Sequence, residues 1–161
     1  MQRLLDRSLR GAIVRAIGQP EESVDTPLVA YARTKLGGLQ GMPFGWDGGE
    51  APPVTEMAAR RLLRILAYVS HEDTVFPALT PDFEGGVVAE WRAGRQHLVL
   101  EVDADGVAFV TAVNEAGETE ISADLNFDQE LYRRLRSFDE MLLRMSKRVE
   151  MINPNWRSLF A

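Results

Sequence analysis

With 161 residues, 45% of them apolar and 26% charged, the chain has the proportions of an ordinary globular protein, which excludes a disordered one, and it is long enough to bury roughly two thirds of its unfolded surface. It has no cysteine, so disulfides, thiolate metal sites and cysteine nucleophiles are excluded. The net charge of −6 is concentrated in residues 41–125, which hold fifteen acidic and five basic side chains. Such a centre disfavours nucleic acid, whose affinity comes from counterions released at clustered Lys and Arg, and it either serves solubility alone or attracts a basic protein partner.

The first residues, Met1-Gln2-Arg3-Leu4-Leu5-Asp6-Arg7, meet charge too often for a signal peptide or membrane span, so a cytoplasmic protein with no membrane contact is expected. Leu4, Leu5, Leu9, Ile13 and Ile17 fall near one helical stripe with Arg3, Arg7, Arg10 and Arg15 beside it, which predicts an amphipathic helix stopped at Gly18 to Pro20. Asp25 or Thr26 before Pro27 has the form of an N-cap and first-turn proline, and predicts a second short helix through Tyr31 to Leu36. Residues 37–53 contain six glycines and three prolines and are expected to form a loop, ordered by packing Met42, Phe44 and Trp46.

A helix over 54–70 follows, with Ala58, Leu62, Ile65, Leu66 and Val69 on one face and Glu56 in its first turn. Pro77 and Pro81 then keep the chain extended until a sheet expected over 86–123 begins. Val87 to Arg92, His97 to Asp103 and Val107 to Val113 stand at hairpin spacing, joined by Ala93-Gly94-Arg95 and Asp103-Ala104-Asp105-Gly106. Alternation puts Leu98, Leu100 and Val102 on one face and His97, Val99 and Glu101 on the other. Asn114-Glu115-Ala116-Gly117 can turn the chain into a fourth strand, Thr119 to Ala123.

The longest helix is expected over 127–151, with Asn126 or Asp128 as its cap. Its stripe of Leu131, Leu135, Phe138, Leu142, Met145 and Val149 either packs on the chain's own sheet or forms the seam of a homodimer. In the tail, 152–161, Trp156, Leu159 and Phe160 either pack back or reach a partner. The expected fold class is therefore α+β: one domain in which a three- to four-stranded antiparallel meander packs against helices, the last of them long.

Gly45-Trp46-Asp47-Gly48-Gly49-Glu50-Ala51-Pro52-Pro53-Val54, the Ala58 to Leu66 helix, and Gly85-Gly86-Val87-Val88-Ala89-Glu90-Trp91 follow one another in an order that resembles a group of small uncharacterised bacterial and phage proteins. Those proteins have a loop of this WDG type, a helix, and a GG…EW strand that opens a meander. The resemblance covers about residues 44–112 and implies a fold but no activity. In physical terms Trp46 can bury its ring while its N–H finds a carbonyl, and Asp47 can close an Asx turn beside Gly48 or Gly49. The functional alternative has Trp46 and Asp47 facing a groove with Glu90 and Trp91, where an aromatic wall and two carboxylates suit a cationic or sugar-like group.

Catalytic patterns are thin. His71 and His97 stand alone without HExxH spacing and read as surface residues, and no nucleophile elbow, phosphate-binding glycine loop or dinucleotide fingerprint occurs. Asp103-x-Asp105-Gly106 lacks the remaining ligands of a calcium loop and reads as a turn. Neither a metal nor a cofactor is expected. The remaining carboxylates, including Glu90 and Glu101 on neighbouring strands, either form an acid and base pair of the glycosidase kind or are solvated-face residues. The leading expectation is a non-enzymatic interaction protein of antitoxin, immunity or inhibitor type from a bacterial mobile element, docking its partner through the acidic sheet, including Glu90, Glu101 and Asp103, or through the last helix. The alternatives are a homodimeric scaffold, and a ligand binder or enzyme at Trp46, Asp47, Glu90 and Trp91.

Overall fold

The computed structural model describes residues 25–125 and 130–161, so the helix expected over 4–17 and the cap expected at Asn126 or Asp128 lie outside the described residues. Those described form three α-helices, a short 3-10 helix and a five-stranded antiparallel sheet, an α+β fold.

Helix α1 spans Pro27–Gln40, with Thr26 accepting the Val29 N–H at 3.3 Å and Pro27 at the first position. It runs four residues past the expected end at Leu36, through Gly37 and Gly38. Two helical glycines cost about 1 kcal/mol each relative to alanine. Burial of Leu36 and partial burial of Leu39 against the core offsets that cost. Helix α2, Glu56–Val69, buries Ala58, Leu62, Ile65, Leu66 and Val69 as the periodicity predicts. Its N-cap Thr55 accepts the Ala58 N–H at 3.1 Å and donates its hydroxyl to the Ala104 carbonyl at 2.7 Å, which ties the helix to a turn of the sheet. At the other end, Ser70 shares a 2.7 Å hydrogen bond with Thr26, so the start of α1 and the end of α2 are joined cap to cap.

The strands are β1 (Ala78–Pro81), β2 (Val87–Ala93), β3 (Gln96–Val102), β4 (Ala108–Val113) and β5 (Thr119–Asp124), in that spatial order. β1 corrects the expectation that the sheet begins at Gly86 with three or four strands: Ala78 pairs with Glu90 and Pro81 with Val87. Proline cannot donate to a ladder, and it is accepted here because β1 is an edge strand. Val87, Ala89, Trp91, Leu98, Leu100, Val102, Ala108, Val110 and Ala112 alternate onto one face and form a single buried cluster with all three helices.

Three turns of the sheet repeat one device. Asp82, Asp103 and Asn114 each accept the N–H groups two and four residues on, and Gly85, Gly106 and Gly117 supply the positive φ at the fourth position. The spacing Asp/Asn-x-x-Gly marks all three in the sequence.

Helix α3, Leu131–Ile152, carries the expected stripe, and the structure turns it inward. Leu131, Leu135, Phe138, Leu142 and Met145 are buried within the chain, and Val149 packs partly buried against the same core. Phe138 meets Trp91 edge to face at 5.6 Å. Of the two uses expected for the stripe, the one within the chain is occupied: these side chains cover the sheet, where each buried one contributes roughly 1.5–3 kcal/mol. In the tail the 3-10 helix Trp156–Phe160 packs back, with Trp156 buried edge to face on Phe76 at 4.9 Å, while Leu159 stays exposed.

Candidate functional site: the outer face of the sheet

The groove expected from Trp46, Asp47, Glu90 and Trp91 is not assembled: Glu90 and Trp91 border one depression with Phe76 and Trp156, although their side chains leave opposite faces of the strand, and Trp46 and Asp47 take no part in it. Trp91 points into the core and donates its indole N–H to the Val75 carbonyl at 2.8 Å. Its neighbour Glu90 lies on the outer face. Trp46 stacks on Phe83 at 5.9 Å and donates to the Pro52 carbonyl at 2.8 Å. The Asp47 carboxylate accepts the N–H groups of Gly49 at 2.9 Å and Ala51 at 3.2 Å. Those bonds, Gly49 foremost, hold its pKa below the ordinary carboxylate value.

The segments around 45–55 and 82–91 meet as one structural unit. Thr55 donates its N–H to the Gly85 carbonyl at 3.0 Å, and the Trp46 and Phe83 rings stack between the same two segments. Gly85 has φ +94°, and a Cβ on Gly86 would press on the Asp82 carboxylate and stand 2.6 Å from the Val102 carbonyl oxygen. Trp46, Asp47, Gly85, Gly86 and Trp91 thus all have structural duties. Glu90 is left facing outward.

Around Glu90 the pairing register defines three rows on the outer face. One runs Thr80, Val88, Glu101, Phe109, Asp124; the next Ala78, Glu90, Val99, Thr111, Ser122; the third contains Arg92, His97 and Val113. Val88, Val99, Phe109 and Val113 are half-buried and belong neither to the core cluster nor to the side chains packed against it. Glu101 and Asp124 are exposed beside them. Glu90 pairs with Arg92 at 2.8 Å and His97 at 3.0 Å, and its pKa is lowered, first by the Arg92 hydrogen bond.

A general acid needs a raised pKa, so the shift at Glu90 runs against its use as the acid of a Glu90 and Glu101 pair. Asp103 is committed to the β3–β4 turn, accepting from Asp105 N–H at 3.0 Å and Val107 N–H at 2.9 Å. His71 bonds Asp139 of α3 through Nε2 at 2.8 Å, a contact between α2's end and α3 that nothing in the local sequence signals. Among the described residues no group of three or more His, Cys, Asp or Glu side chains is placed to hold a metal ion, and no helix is long and apolar enough to cross a membrane.

Sequence reasoning named Glu90, Glu101 and Val99 on this face but missed Val88, Phe109 and Val113 as a strip with them. The signal was present, since all three fall at outward positions of their strands. Comparison of the chain with protein-family models, with curated proteins and with solved structures returns no match.

Proposed function

We propose that the protein is a non-enzymatic interaction module, of the antitoxin, immunity or inhibitor kind, that binds a basic protein partner through the outer face of its sheet. The observation that carries this reading is the strip Val88, Val99, Phe109 and Val113, excluded from the core and bordered by Glu90, Glu101 and Asp124, with Arg92 and His97 paired to Glu90 at one end. An apolar centre with a charged rim is the anatomy of a protein interface, and a rim of one sign steers a partner of the other. The homodimer reading has less support, because the α3 stripe is occupied within the chain. The ligand-groove reading has less support, because Trp46 and Asp47 are held in their own loop and do not line the depression that Glu90 and Trp91 border.

The test is a pull-down from the native host with the wild-type chain, the double variant E101K/D124K, and F109S. Asp103 is unsuitable for charge reversal, since its carboxylate closes a turn. One basic protein retained by the wild type, released by salt and lost from both variants is the expected result. Retention that is indifferent to all three substitutions counts against the reading.

A further inference from the structure

We infer that the groove between α2 and the β3–β4 turn is a binding site for a compact anion, a phosphate or carboxylate group carried on an apolar stem. This surface is separate from the outer face of the sheet. It is an open groove of about 360 Å³, with Arg60, Arg61 and Arg64 along the helix side and residues 105–108 of the turn opposite. Three of the five basic residues in the acidic segment 41–125 thus fall on little more than one turn of helix and line the same groove.

The helix and turn are pressed together at Gly106, whose φ is +82°: a Cβ there would lie 3.6 Å from the Met57 carbonyl oxygen and 3.8 Å from Arg61 Cβ. The half-buried Arg61 donates Nη2 to the Leu125 carbonyl at 2.8 Å, which fixes its guanidinium at the groove. Arg64 lies three residues on and Arg60 four before Arg64, spacings at which like charges repel. Glu56 pairs with Arg60, but Arg64 has no acidic partner among the described residues. Burial, and then Arg64 beside it, lowers the pKa of Arg61. An anion seated beside the exposed Arg64 guanidinium, next to Arg60 and Arg61, relieves that repulsion, and the planar fork of Arg64 matches phosphate and carboxylate oxygens.

Met57 and Val107, 60% and 51% exposed, supply apolar rims that flank the stem. Asp105 lines the opposite lip, and with the acidic surround it disfavours an extended polyanion. The site is therefore fitted to one anionic group and not to a nucleic-acid backbone.

NMR titration of the full chain, following the arginine Nε–H signals and the Met57 methyl, tests this with phenyl phosphate, inorganic phosphate, benzoate and a single-stranded oligonucleotide. Saturable shifts at Arg64 and Met57 are expected, with phenyl phosphate about tenfold tighter than inorganic phosphate, the worth of partly burying a phenyl ring between two apolar side chains. R64A, at an exposed position that leaves the melting temperature unchanged, should weaken binding by about fivefold, the loss expected for one charge-assisted contact near solvent, while R95A should not. Benzoate binding at the same signals assigns carboxylates to the site, and its failure restricts the site to phosphate. Shifts that do not saturate, shifts unchanged in R64A, or tighter binding of the oligonucleotide than of phenyl phosphate would overturn the proposal.

Discussion

At Gly85 and Gly86 two adjacent glycines are required for different reasons. Gly85 supplies the positive φ that closes the Asp82 turn, and Gly86 lies where the Val102 carbonyl leaves no room for a Cβ. Overpacking against backbone costs about 1–3 kcal/mol, so G86A should lower the urea midpoint accordingly. G38A is the control: a Cβ there meets nothing within 4 Å, and the substitution should stabilise α1 by up to about 1 kcal/mol. Equal losses from both would show that the crowding at Gly86 is absent. At Glu90 the direction of titration is equally open to measurement. Its folded pKa is depressed, chiefly by Arg92, so the ion pair stabilises the fold above the ordinary carboxylate range and that contribution is lost as pH falls through the lowered value. The pair is solvent-exposed and the energy small. In R92A, carbon-detected NMR should therefore show the Glu90 pKa moving up, with little change in stability.

Among the elements, α3 shows how one periodicity serves two architectures. A stripe spaced by fours and threes fits the seam of a coiled coil as well as a helix laid on a sheet, and periodicity alone does not separate them. Burial does: Phe138 and Leu142 are fully buried within the chain. F138A should cost about 3–5 kcal/mol in chemical denaturation, with a midpoint that does not depend on protein concentration. A loss that grows on dilution would restore the seam. Helix α2 and strands β2 to β4 were legible beforehand, because strict alternation and a clean helical face each specify one buried side. β1 was not legible, since four residues ending in proline carry no strand pattern and hold only because Val87 to Glu90 offer a ladder. The end of α1 differs for a related reason: the glycine pair argues for a stop, and Leu39, beyond it, packs partly buried against the core and carries the helix on.

For the whole molecule, layering decides what is available for recognition. Among the described residues the helices and the tail gather on one side of the sheet, so their core is built from one face and the other keeps its side chains out of it. Surface charge away from structural contacts changes stability by no more than about 0.5 kcal/mol, so E101K/D124K should melt like the wild type. The same variant should slow association with a basic partner and flatten its salt dependence in a stopped-flow measurement. Unfolding of the variant, or an unchanged association rate, would separate this face from recognition.

Taken alone, the order of residues determined the α+β class, the meander, its turns and the acidic centre, because hydrophobic period, turn chemistry and charge are local properties that need no partner to be read. It also supplied every member of the expected Trp46, Asp47, Glu90 and Trp91 groove without revealing that they separate. Only tertiary structure decided that Trp91 goes inward while Glu90 goes outward, that Trp46 and Asp47 are bound up in their own loop, and that Arg60, Arg61 and Arg64 come to face the β3–β4 turn. Such placements depend on pairing register and on which face of the sheet the helices cover, and both are settled by contacts between residues far apart in the chain.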